Sequence, residues 1–144
     1  MGYSYETEAA FAGQIGNGSQ ALYKTRAEQW TGKEDLKPGY FVAINEAGGV
    51  KPLTTKTDVV LGIARRTLRR DVYKSGEIAD ILILAPGDSV WAVITPENAV
   101  NRGDFVVPVK EGETAGTVSK TVGAEPHKFL VEAVANGLAK ITKI

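Results

Sequence analysis

Few residues in this chain have the makings of chemistry. His127 is the sole histidine among 144 residues and cysteine is absent, so thiolate nucleophiles, disulfides and cysteine metal sites are excluded. A hydrolytic nucleophile needs a Ser or Thr beside a base, and His127 stands next to Lys128 with no nucleophile-elbow pattern around it. It reads as a surface histidine. The paired carboxylates Glu34-Asp35 and Glu111 with Glu113 lie among Lys and Gly and read as solvated turns. Asp80 interrupts the apolar run Ile78–Ala85, and an acid there must be paired or face water, because burying it alone is costly. Arg65 or Arg66 could pair with it, and a wet strand edge is the favoured reading. Gly13, Gly16 and Gly18 have no strand before them and no helix after them, as a phosphate loop requires. No catalytic, cofactor or metal site is assigned, and no enzyme is expected.

Binding is the remaining chemistry. Arg65, Arg66, Arg69 and Arg70 form the one dense charge run, suited to an acidic protein surface through planar bidentate contacts, or else to a solvated face. The 17 basic and 17 acidic residues cancel, which argues against non-specific attraction to nucleic acid or an anionic membrane. Neither partner is expected. No apolar run approaches the ~18 residues of a membrane span, and the start lacks a basic segment followed by an apolar one, so synthesis in the cytoplasm is expected.

The elements that must position these residues read as strands. Ile78–Ala85 and Ser89–Thr95 are the most apolar stretches, joined by Pro86-Gly87, and the spacing predicts a hairpin. Its faces are apolar on both sides, which places Ile81, Ile83, Trp91 and Val93 in a sheet-to-sheet core or a subunit interface. Residues 1–20 read as an extended arm able to dock through Phe11 and Ile15, and 21–144 as one domain. Further strands are expected at 22–27, 40–44, 59–64, 105–109 and 127–134. Gly62 marks a bulge or a close backbone approach. Asn136-Gly137 signals a hairpin into 138–144. Residues 110–126 are expected to form a mobile polar excursion with one short strand at 117–119. Short strands with turns every ten or so residues and no long amphipathic helix imply an all-β fold, a compact antiparallel barrel or jelly-roll-like sandwich. Lys37-Pro38-Gly39-Tyr40-Phe41-Val42 is echoed by Asn101-Arg102-Gly103-Asp104-Phe105-Val106, which recurrent turn chemistry and duplication explain equally well.

Glu8–Ile15, Leu36–Val42, Val60-Leu61-Gly62-Ile63-Ala64, and Pro86–Trp91 followed by Gly103-Asp104-Phe105-Val106 stand in an order and spacing that resembles the structural cement, or capsid decoration, proteins of tailed bacteriophages. The resemblance spans nearly the whole chain. It implies a non-enzymatic protein on the outer surface of the virion that bridges major capsid subunits and self-associates as a dimer or trimer. Under it, Phe11 and Ile15 anchor the arm on the capsid, while Arg65, Arg66, Arg69 and Arg70 make polar contacts. The alternative is a carbohydrate- or host-binding module stacking ligands on Trp30, Trp91 and Tyr40.

Overall fold

The computed structural model describes residues 10–17, 25–67, 71–121 and 129–144, and only the backbone at 16 and 17. His127, Arg69 and Arg70 lie outside the described residues. The β-branched and aromatic runs form strands and the Gly, Pro and Asn pairs form turns; no helix occurs among the described residues. In chain order the strands are β1 (Ile15–Asn17), β2 (Thr25–Gln29), β3 (Phe41–Ile44), β4 (Val50–Lys51), β5 (Val60–Ala64), β6 (Ile78–Leu82), β7 (Ser89–Val93), β8 (Phe105–Pro108), β9 (Val118–Lys120), β10 (Phe129–Ala135) and β11 (Leu138–Lys143). They build two antiparallel sheets, ordered β1-β7-β11-β10-β8-β9 and β2-β6-β5-β3-β4.

The expected central hairpin does not form. β6 pairs with β2 and β5 in one sheet, whereas β7 pairs with β1 and β11 in the other. The turn explains why. Pro86 and Gly87 sit at its two central positions, Gly87 has φ 92°, and Asp88 N–H donates to Ala85 O at 2.9 Å, which is a type II turn. Type II turns splay their flanking strands, whereas the primed turns match the strand twist. Asn136 and Gly137, at φ 50° and 78°, supply such a primed turn, and β10–β11 is the expected hairpin. The segment 78–95 is thus the corner where the chain changes sheets. Gly62 fulfils both expectations: the β3–β5 register shifts beside it, and a Cβ there would strike the carbonyl oxygen of Leu82.

The two sheets repeat one design. Without the added β1, the order β7-β11-β10-β8-β9 is that of β2-β6-β5-β3-β4 with each strand replaced by its successor half a chain later. Each sheet curls until its first strand meets the start of its last through one parallel bridge, Trp30 with Val50 and Ile94 with Val118. The same bonds recur: Thr31 N–H to Val50 O and Thr95 N–H to Val118 O, both 2.9 Å; Gly39 N–H to Ala64 O and Gly103 N–H to Val131 O, both 2.9 Å. The echo noted in the sequence falls on these equivalent positions, with Gly39 and Gly103 at φ 91° and 94°.

Equivalent residues fill the two interiors. Trp30, Leu36, Val42, Val50, Ala64, Ala79 and Ile81 form one buried cluster together with Tyr73. Their counterparts Ile94, Val100, Val106, Val118, Val131, Ala139 and Ile141 belong to the other. That second cluster continues into the outer wall of the first curl, through Phe41, Ala43, Ile63 and Leu82. Phe129 occupies the position of Gly62 and its ring lies 5.6 Å from that of Phe41, joining the halves.

The polar excursion is pinned at its base. Val109 N–H donates to Thr117 O and Gly116 N–H to Val109 O, both 2.8 Å, and Thr117 and Val118 are buried. Phe41 ties the same turn to the first sheet, its N–H donating to Gly116 O at 2.9 Å.

Candidate functional site

The described part of the arm, residues 10–17, is seated in the seam between the halves. Gly13 N–H donates to Trp91 O at 2.6 Å and Trp91 N–H to Gln14 O at 2.9 Å, so the arm adds to the free edge of β7. Arg66 N–H donates to Gly13 O at 3.1 Å, tying the same residue to the first half. Only glycine fits there: at φ 75°, a Cβ would come 2.5 Å from Ala64 O and 2.8 Å from Arg66 N. Gly39 gives the arm room from below, since its own Cβ would lie 2.5 Å from the Ala12 methyl.

This seat sorts the residues singled out in the sequence. Phe11 stays 45% exposed, and the Arg66 guanidinium stacks 4.5 Å from its ring centroid, a pairing that a spacing of more than fifty residues concealed. Arg66 also reaches Asp71 at 3.8 Å. Ile15 turns the other way and packs, half-buried, against the large core cluster of its own chain. Arg65 is half-buried; its N–H donates to Asp80 O at 2.9 Å, and its carbonyl accepts from the Tyr73 hydroxyl at 2.7 Å. Burial pushes the Tyr73 phenol above its ordinary pKa. Asp80 itself is half-buried, opposite Ala27.

The four apolar residues of the corner separate. Ile81 is fully buried inside the first curl. Ile83 is half-buried in an apolar groove of about 870 Å³ between the halves, beside Val59, Val60 and Phe129. Trp91 and Val93 are half-buried on the outer face of β7, because alternation turns Val90 and Ala92 inward. Among the ligand-stacking candidates, Trp30 is 4% exposed with its indole N–H donating to Glu34 O at 2.7 Å, so its faces are unavailable. Tyr40 packs partly buried against the same cluster.

The acids serve the loops. Asp35 pairs with Lys74 at 2.9 Å and Glu111 with Lys56 at 3.7 Å. Asp58 accepts from Thr54 N–H, Lys51 Nζ and Thr55 N–H at 2.8–3.0 Å, and these donors hold its carboxyl well below the usual carboxylate range. No cluster of three or more His, Asp or Glu poised to hold a metal occurs among the described residues.

A two-curl β protein with an arm laid along its seam has a counterpart among known sequences. The profile of the XM1 gp53 minor capsid protein family matches residues 1–143. The chain belongs to that family. It is therefore a phage capsid-associated structural protein, located in the virion. In fold it is similar to a chain of the structure "The capsid of Myoviridae Phage XM1", with TM-score 0.67 and 18% identity over 94% of this chain and 92% of that one. Among curated proteins, none matches.

Proposed function

We propose that this minor capsid protein is a head decoration protein, which binds the outer surface of the assembled shell, bridges neighbouring major capsid subunits and self-associates there. The observation that carries the reading is the Phe11–Arg66 stack: an exposed aromatic on a seated arm, with a guanidinium laid over it at 4.5 Å. Aromatic and Arg side chains are the residue types that dominate binding energy at protein interfaces. The formal net charge of zero supports it, since many copies crowd one shell without mutual repulsion. Ile15 has a different part in this reading from the one first expected. It holds the arm to its own domain, and Phe11 and Arg66 meet the capsid.

Co-sedimentation with purified heads lacking this protein tests the proposal. Phe11→Ala is expected to weaken occupancy roughly tenfold at unchanged thermal stability of the free protein. Ile15→Ala is expected to lower that stability as well. Heads that bind no wild-type protein, or that resist heat no better with it than without it, would overturn the decoration reading.

A further inference from the structure

The two halves carry turn glycines in equivalent places, and only one of them meets the arm. Gly39 and Gly103 share a conformation, at φ 91° and 94°, and a bond into the sheet, N–H to Ala64 O and to Val131 O at 2.9 Å each. Their surroundings differ. Among the described residues, a Cβ on Gly103 would meet no atom within 4 Å, whereas one on Gly39 would lie 2.5 Å from the Ala12 methyl and 3.1 Å from Gly13 N. Gly13 matches it from the other side, since its own Cβ would lie 2.9 Å from Gly39 N. Arm and turn therefore touch at a separation that requires glycine at both positions.

This clasp places both partners of the Phe11–Arg66 stack. Gln14 N–H donates to Phe11 O at 3.0 Å and Phe11 N–H to Gln14 Oε1 at 3.1 Å, so residues 11–14 form one turn that moves as a unit. Within that turn, Gly13 O accepts from Arg66 N–H at 3.1 Å, which fixes the backbone that carries the guanidinium beside the ring it covers. The Ala12–Gly39 contact holds the turn to the first half, and the Gly13–Trp91 bond holds it to the second.

We propose that Gly39 is a positioning residue for shell binding, an inference that rests on the decoration reading because the shell is the ligand. Gly39 is buried under the arm and acts without touching the shell. It sets the fraction of copies whose arm is seated with Phe11 against Arg66. When only the seated form binds, apparent affinity falls in proportion to that fraction, so a seat filled in about a tenth of the copies binds about tenfold more weakly. By reciprocity, the bound shell tightens the seat.

Full-length variants, each examined by co-sedimentation with heads and by amide exchange of the free protein, test the clasp. Gly39→Ala is expected to speed exchange of the Gly13 and Trp91 amides and to weaken shell binding about tenfold. Gly103→Ala carries the same turn strain away from the arm and is expected to do neither. Adding Ala12→Gly to Gly39→Ala removes the colliding methyl while the turn strain remains, and is expected to recover most of the lost binding. Ala12→Val enlarges the contact from the arm side, where the cores of the two halves are not involved, and is expected to repeat the loss. Unchanged arm exchange or unchanged binding in Gly39→Ala and Ala12→Val, an equal loss in Gly103→Ala, or no recovery in the double variant would each overturn the positioning role and leave decoration standing. Failure of the wild-type protein to sediment with heads would overturn both.

Discussion

The two curls share a strand order, a closing bridge and a turn glycine, yet they fill their interiors differently. The first plugs its barrel with large residues from its own loops, Trp30, Leu36 and Tyr73, and so keeps a cluster separate from the rest. The second uses smaller aliphatic residues at the same positions, Ile94 and Val100 among them, and its cluster runs on into the outer wall of the first. The lesson concerns duplicated design. One backbone plan accepts either a self-contained core or a shared one, depending on whether a bulky ring is available to close the mouth. Phe129 at the Gly62 position makes the difference physical, since glycine lets the first curl narrow there while phenylalanine reaches across to Phe41.

Breaking the shared core has the largest expected effect. Phe129→Ala and Phe41→Ala should each cost about 3–5 kcal/mol, and the double variant less than their sum, because the rings touch. Denaturant titration of the three variants measures this; strict additivity would mean the halves are not joined through this pair. Next comes the turn glycine. Gly39→Ala and Gly103→Ala both meet a strained positive φ, costing about 1–2 kcal/mol. Only Gly39→Ala also collides with Ala12, so only it should expose the amides of residues 11–15 to exchange. Equal arm protection in both would break the asymmetry.

Tyr73 has no counterpart in the second curl. Tyr73→Phe leaves the Arg65 carbonyl without its hydroxyl donor and should cost about 1–3 kcal/mol. The smallest effect appears only in acid. Asp58 is held below its ordinary pKa, so its contribution is present above the unfolded carboxylate value near ~4 and fades as pH falls further. Asp58→Asn should remove that pH dependence from the melting temperature below about pH 4. An unaltered acid limb in the variant would assign it to other carboxylates.

Much of this was legible beforehand. The all-β class, the Asn136-Gly137 hairpin, the Gly62 bulge and the Gly39/Gly103 echo each rest on chemistry local to a few residues. The misread element was local too: Pro86-Gly87 specifies a turn that splays strands, and the apolar richness of its flanks outweighed that geometry. The candidate site was half legible. Phe11 and Arg66 were each visible as unusual, but their stacking depends on Gly13 locking the arm against Ala64 and Arg66, a contact between distant segments. Ile15 resembled Phe11 in the sequence and differs from it only because β7 turns one inward and leaves the other outside.

By itself the sequence determined the strands, the kinds of turn between them and the absence of thiol chemistry, because backbone preferences and side-chain inventory are properties of short stretches. Which sheet each strand joins and which apolar residues share a core were decided by tertiary structure. Those outcomes depend on pairing between residues far apart in the chain, where the same apolar pattern satisfies several partners and only packing selects one.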